Sequence, residues 1–192
     1  MDIHSDLLTY GSALGEPDAV RALGWNKVRP MNTPELTAEE CVALWAKFSS
    51  QDYMFSDFER GNFEGFLIRL RDMRHLHLDL SGAGYAILLN AWCCDNLELH
   101  FCLWHETDKR EILTMGAEIM NFAFGQMKAH RITGFIPVIN PMAIKLANML
   151  SFKFEGSLAD AFTFHGKHYD VHAYGLLQKD WLARERRING RN

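Results

Sequence analysis

The sequence lacks the features that direct a protein into a membrane or onto a nucleic acid. No apolar run reaches the roughly 18 residues that a membrane-spanning helix requires. Positive charge is not in excess, since 20 Lys and Arg stand against 24 Asp and Glu and give a net charge of −4. A general binder of nucleic acids or anionic membranes needs a basic surface, so we expect neither partner. The first residues carry acids and no charged-then-apolar signal pattern, which predicts a cytoplasmic protein.

Cysteine is scarce, and its spacing indicates neither a disulfide framework nor a zinc site. The 4 cysteines include no C-x-x-C pair, and no Cys/His set has zinc-finger spacing. Two of them are adjacent, so in a strand they would point to opposite faces of a sheet. We expect four reduced, mostly buried thiols: Cys41, Cys93, Cys94 and Cys102.

Histidines cluster near the end of the chain, but their spacing does not favour a metal site. His165, His168 and His172 accompany Asp170 at a predicted turn and on alternating strand positions. No further ligand is evident, so we predict no metal. The His75–His77 segment is expected at the surface.

Length and composition are those of one soluble globular domain. The chain has 192 residues, of which 48% are hydrophobic and 23% charged. We predict an N-terminal arm over 1–24, a domain over 25–182 and a basic C-terminal tail over 183–192. The arm has weak periodicity and several breakers, and is either a loosely ordered terminus or a segment that docks on a partner subunit. The tail is interpreted as a solvated end, with contact to nucleic acid or an acidic partner as the alternative.

The first half predicts a strand followed by two helices. Trp25–Pro30 resembles a strand, and residues 37–40 (TAEE) form a capping box that starts a helix. That helix places Cys41, Leu44, Trp45 and Phe48 on one face. Residues 51–64 predict a loop with a short helix, and Phe66–Met73 predicts a further helix.

The second half alternates strands and helices and ends in a hairpin, which predicts a mixed sheet with helices on both faces. Gly84–Trp92 is the apolar run of a strand buried on both sides, whereas Asn96–Trp104 alternates apolar and polar residues. The remaining predicted elements are a helix over Lys109–Lys128, a strand over His130–Ile139, a helix from Asn140-Pro141 to Leu150, and hairpin strands Phe152–Phe164 and His168–Leu177.

Four stretches of this second half resemble the GNAT superfamily of N-acetyltransferases. They are Ala123-Phe124 followed by His130-Arg131-Ile132, Asn140-Pro-Met-Ala143-Ile, Met149-Leu-Ser-Phe-Lys-Phe-Glu-Gly156, and the hairpin from Asp160 to Trp181. Their order and spacing match the family over residues 96–181, and residues 25–95 match loosely. The branch that contains the ribosomal-protein N-terminal acetyltransferases is the most similar.

This resemblance implies an acetyl-CoA site between two parallel strands that splay apart. In the family, the pantetheine arm pairs with the backbone of the first strand, here Cys102, Leu103 and Trp104. The pyrophosphate rests on the main-chain amides at the start of the long helix, and the Asn of the N-x-x-[SA] motif, here Asn140, faces the cofactor. The helix start corresponds to Lys109, Arg110, Glu111 and Ile112.

The sequence departs from the family at the phosphate loop. The positions of the family's glycine-containing motif hold Thr107, Asp108, Lys109 and Arg110, and no glycine lies between Gly84 and Gly116. Glycine lets an anion approach the amides of a helix N-terminus, which favour negative charge. Three interpretations follow: the Lys and Arg side chains bind the phosphates, the loop is offset by one residue, or Thr107 and Asp108 merely cap the helix and CoA is not bound.

Acetyl transfer needs a base for the amine, and Glu98 and His100 are the candidates. They project from one face of the strand that precedes the phosphate loop, and Glu98 sits where the similar branch often has Glu. Many GNAT enzymes carry a Tyr acid at the position of Ala147. A strand-face pair at the surface is the alternative interpretation.

Two functions therefore stay open. The first is an N-acyltransferase that moves acetyl from acetyl-CoA to a protein N-terminus, a small amine or an aminoglycoside-like substrate. The second is a catalytically inactive structural protein, similar to GNAT-like proteins of tailed phages that act in head assembly or the virion. It would bind protein partners or form a homo-oligomer through the arm and residues 51–64.

Overall fold

The computed structural model describes residues 29–30, 36–51, 54–57, 59–72, 75–80, 83–93, 95–104 and 108–190. The predicted arm over 1–24 and most of the predicted first strand lie outside these residues. Within them the chain forms β1 (Arg29–Pro30), α1 (Ala38–Ser49), α2 (Phe63–Leu70), β2 (His75–Asp79), β3 (Gly84–Cys93), β4 (Asn96–Leu103), α3 (Lys109–Gly125), β5 (Arg131–Pro137), α4 (Pro141–Met149), β6 (Lys153–Phe164), β7 (Lys167–Leu177) and α5 (Gln178–Asn189).

The strands form one seven-stranded sheet in the order β1-β2-β3-β4-β5-β7-β6. The pair β4–β5 is parallel and every other pair is antiparallel. A parallel pair needs a crossover, which α3 supplies. The predicted mixed sheet is confirmed.

Helices cover both faces of this sheet, as predicted. The larger core lies under α3 and α4, where Met115 and Ile119 pack with Leu97 and Ile132. The alternation of β4 places Leu97, Leu99, Phe101 and Leu103 on this face. The opposite face, under α1 and α2, buries a second cluster that contains Cys41, Phe48, Phe66, Tyr85 and Cys102.

Local sequence signals start most of these elements. The Thr37–Glu40 capping box is formed, and Asn140 caps α4 with Pro141 in its first turn. The hairpin between β6 and β7 turns at His165 and Gly166, whose φ angles are 50° and 71°. Positive φ at both central residues is the geometry that matches the twist of antiparallel strands.

The C-terminal segment continues as helix α5 beyond the predicted domain boundary at residue 182. Trp181 is fully buried, and its indole Nε1 donates to Asn121 Oδ1 at 2.8 Å. Residues 183–189 of the predicted tail are thus helical, and they continue the helix that Trp181 anchors to the core.

Candidate active site

The site begins where the parallel strands β4 and β5 stop pairing. Their ladder consists of Asn96–Arg131, Leu97–Ile132 and Glu98–Thr133. Beyond it, β4 stays paired with β3 up to Leu103, and β5 stays paired with β7 up to Pro137. The two strands therefore diverge while each remains fixed on its other side.

A cavity of 820 Å³ occupies this opening and reaches both faces of the sheet. Its walls include Leu99 and Leu103 of β4 and Gly134 of β5, together with residues of α4 on one face and of α1 and α2 on the other. Ligand sites in proteins typically enclose about 300–1,000 Å³. The opening is thus large enough for an extended small molecule that passes between the strands.

The main chain of β4 turns every second residue toward the opening. Trp104 N donates to Ala83 O at 2.9 Å, so its peptide faces β3. Because these groups alternate along a strand, Cys102 also faces β3, and Leu103 and Phe101 face the opening. Of the three residues expected to pair with pantetheine, Leu103 presents its backbone there, whereas Cys102 lines the cavity with its side chain.

The start of α3, expected to hold the diphosphate, is capped by an acid. The carboxylate of Asp108 accepts from Arg110 N at 2.6 Å, as in an ordinary N-cap. Thr107 lies outside the described residues. Lys109 begins the helix, Arg110 and Asp108 are exposed, and Ile112 lines the cavity. The Asp108 cap therefore uses one of the amides that a diphosphate would contact.

The start of α4 faces the same opening. The Oδ1 of Asn140 accepts from Ala143 N at 3.1 Å, and both residues line the cavity. Ala147, which replaces the family's Tyr, lines it one turn further on. Asn140 thus lines the cavity, and its side-chain oxygen is used in capping the helix.

Glu98 and His100 come together on the face covered by α1 and α2. Glu98 Oε1 lies 2.7 Å from His100 Nε2. His100 lines the cavity and its side chain is 44% exposed, whereas that of Glu98 is 15% exposed. Glu98 thus lies behind His100 and holds its ring.

His77 and Tyr85 also line the cavity, and sequence reasoning missed both. His77 is 2% exposed, so the expectation of a surface His75–His77 segment is wrong for this residue. Its Nδ1 lies within hydrogen-bond distance of the Tyr85 hydroxyl, and burial raises the pKa of that phenol. The pairing of β2 with β3 turns His77 toward the face that carries His100, and this pairing between strands has no signal in the local sequence.

The thiol of Cys102, which also lines the cavity, is not suited to nucleophilic chemistry. Burial raises the pKa of Cys102 to about 12, so the thiol stays protonated near neutral pH. Cys41 and Cys102 are free and buried.

The residues that the structure describes contain no group of three His, Cys, Asp or Glu side chains that could hold a metal ion. Of the C-terminal histidines, His168 Nδ1 lies 3.0 Å from Thr163 Oγ1. The described helices also include none long and apolar enough to cross a membrane.

Comparison with known proteins places this arrangement in a recognised fold. No protein-family model matches the chain. The spermidine N-acetyltransferase of Vibrio cholerae in complex with CoA and spermine superposes with a TM-score of 0.61 and 18% identity, over 81% of this chain and 96% of that one. The chain has the GNAT acetyltransferase fold.

Further relatives agree with this fold. Mutant forms of the V. cholerae spermidine/spermine N-acetyltransferase SpeG superpose with a TM-score of 0.64 at 18% identity, over 82% of this chain and 96% of that one. A Bacillus subtilis (strain 168) protein, provisionally named ribosomal N-acetyltransferase YdaF, is 23% identical over 123 residues, which cover 57% of this chain and 67% of that one. The GNAT resemblance of the sequence is thereby confirmed at the level of the fold.

Proposed function

We propose that this protein is an acetyl-CoA-dependent N-acetyltransferase that acts on an amine. The observation that carries the proposal is the parallel ladder of β4 and β5, which ends at Glu98–Thr133 and opens a cavity through the sheet. The relatives support it, since each is named as an N-acetyltransferase. The Bacillus match further supports the branch of ribosomal-protein acetyltransferases.

Most of the cavity fits acetyl-CoA. The main-chain N–H and C=O groups of Leu103 and Phe101 face the opening, where β4 no longer pairs with β5. They can therefore bond to the amides of a pantetheine arm. Asn140 and Ile112 would contact the same arm. At the start of α3, the guanidinium of Arg110 would hold the diphosphate together with the amide of Lys109, because Asp108 takes the amide of Arg110 and the amide of Ile112 donates to Asp108 O at 3.0 Å.

Acetyl-CoA supplies the acetyl group as a thioester when it is bound. We assign the removal of the amine proton to His100. A carboxylate can only accept hydrogen bonds, so in the bond to Glu98 the proton lies on Nε2, and Nδ1 is left to take the proton of the amine. Glu98 orients the ring and stabilises its charged form. In the overall exchange the amine nitrogen bonds to the acetyl carbon, the C–S bond breaks, and the sulfur gains a proton.

A non-catalytic structural role is the alternative, and the Asp108 cap is the observation that favours it. A carboxylate at the diphosphate position opposes an anion there. None of the relatives described above is named as an assembly or phage protein. The enzyme proposal is therefore preferred.

The test is release of CoA thiol from acetyl-CoA in the presence of an amine panel that includes spermidine and a ribosomal-protein N-terminal peptide. Amine-dependent release that His100→Gln abolishes is expected. Absence of release with every amine, together with no binding of acetyl-CoA, would favour the structural role.

A further inference from the structure

The amine has its own side of the cavity. The helix α3, whose start would hold the diphosphate, packs on the same face as α4. His100 projects from the opposite face, which α1 and α2 cover. An amine that gives its proton to His100 therefore enters between the sheet and these two helices.

The part of the cavity between the sheet and helices α1 and α2 is called the acceptor side here. It is lined mostly by apolar and aromatic side chains. Among the described residues it includes Phe48, Met54, Phe55, Phe66, Phe135 and Phe162. The aromatic rings contact one another, with Phe48 and Phe66 centroids 5.7 Å apart. Such a surface binds a group of phenyl size by burial and ring contacts.

The described residues of the acceptor side offer little negative charge. Glu59 is the one acid among the described cavity-lining residues, and its carboxylate is bonded to the Arg69 guanidinium and to Ser56. Burial alone would raise the pKa of Glu59, but the bonds to Arg69 and Ser56 outweigh it and lower the pKa. The resulting ion pair has no net charge to offer a second ammonium.

We propose that the acceptor is a singly charged primary amine on an apolar group of about phenyl size, and not a polyamine. The inference rests on the proposed function of the site. A polyamine would bury further ammonium groups for which the described lining residues supply no uncommitted carboxylate, which is costly. An apolar environment instead lowers the pKa of a single amine and favours its neutral, nucleophilic form. The reaction is the same exchange of acetyl from sulfur to nitrogen.

The experiment compares the catalytic efficiency, kcat/KM, with which phenethylamine and spermidine are acetylated at saturating acetyl-CoA. Calorimetric binding of phenethylamine in the presence of CoA gives a readout that is independent of turnover. A tetrapeptide with N-terminal Phe distinguishes a peptide amine from a small one. We expect the catalytic efficiency with either apolar amine to exceed that with spermidine by roughly tenfold or more.

A matched pair of variants tests the location. Leu158 lines the cavity and is 50% exposed, and Leu182 on α5 is 48% exposed and outside the cavity lining. Leu158→Glu should lower the catalytic efficiency with phenethylamine by about tenfold relative to that with spermidine. Leu182→Glu should change neither.

The outcomes separate the inference from the proposed function. Preference of the wild-type protein for spermidine, or binding of acetyl-CoA without acetylation of either apolar amine, would overturn the inference alone. Equal effects of both variants would also overturn it. Failure to bind acetyl-CoA at all would overturn the proposed function as well.

Discussion

Glu98 lies opposite Thr133 at the last rung of the ladder between β4 and β5. Thr133 Oγ1 donates to Asn96 Oδ1 at 3.0 Å and thereby ties the two strands together just before they diverge. From the same position Glu98 reaches forward to His100. Pairing between β4 and β5 therefore ends at Glu98, and the same residue holds the ring of the candidate base, His100.

Removal of the candidate base should slow turnover strongly and leave the binding of acetyl-CoA intact. His100→Gln should lower kcat roughly 100- to 10,000-fold and leave the acetyl-CoA Kd unchanged, because the ring faces the amine side. Glu98→Gln should cause a smaller loss, since the ring remains in place without its charged partner. Steady-state kinetics with thermal melts measure both. Wild-type turnover in His100→Gln would contradict the assignment.

The start of α3 predicts opposite effects of two charge changes. Asp108→Asn keeps a good N-cap but removes a negative charge, so acetyl-CoA should bind about two- to fivefold more tightly. Arg110→Ala should weaken binding roughly tenfold by removing a charge-assisted bond to the diphosphate. Isothermal calorimetry measures each Kd.

The control for this pair is Arg71→Ala, an exposed arginine at the end of α2 that is outside the cavity lining. Both effects should shrink as salt is raised, because exposed charges are screened. An effect of Arg71→Ala equal to that of Arg110→Ala would show a general charge effect and contradict a specific contact.

Asp57 predicts an acid-sensitive link between the α1–α2 connection and the β6–β7 turn. Its carboxylate accepts from His165 N at 2.9 Å and Gly166 N at 2.7 Å. The hydrogen bond from Gly166 N, and to a lesser extent that from His165 N, lowers the pKa of Asp57 below its ordinary value of 3.8. A lowered pKa contributes stability that is present above the ordinary value and lost as pH falls through the lowered one.

Asp57→Asn should accordingly lower Tm near neutral pH, and the difference from wild type should stay constant down to about pH 4 and shrink as pH falls further. Asp160→Asn, an exposed position on the same hairpin, serves as the control. A Tm difference that is independent of pH would show that the charge of Asp57 does not contribute.

Removal of the buried Tyr85 hydroxyl is expected to destabilise the protein. Tyr85→Phe removes the partner of His77 Nδ1 and should lower the free energy of unfolding by about 1–3 kcal/mol. Chemical denaturation measures the change. A variant as stable as wild type would contradict the inferred role of the bond.

The sequence predicted those features that depend on neighbouring residues in the chain. The Thr37 capping box, the Asn140-Pro141 helix start and the alternation of β4 are local patterns, and all are present. The resemblance then predicted a parallel pair of strands that splay apart, and β4 and β5 form such a pair. The juxtaposition of Glu98 and His100 follows from their shared strand face.

Features that depend on distant residues were not predictable. The burial of His77 depends on its place next to β3 beneath α1 and α2. The bond between Trp181 and Asn121 joins residues 60 positions apart, and the link of Asp57 to Gly166 spans 109 residues. No local pattern encodes these contacts, because partner and register are fixed only when the sheet has formed.

Calorimetric titration of acetyl-CoA into the wild-type protein and into Gly134→Leu tests whether acetyl-CoA binds between β4 and β5. Gly134 lines the opening, and a Cβ there would lie 3.9 Å from its nearest neighbour, Leu99 O, so the larger side chain fills the gap between β4 and β5. We predict saturable binding to the wild-type protein and its loss in the variant, with circular dichroism showing that the variant is folded. Equal binding to both proteins, or no binding to either, would contradict an acetyl-CoA site between these strands.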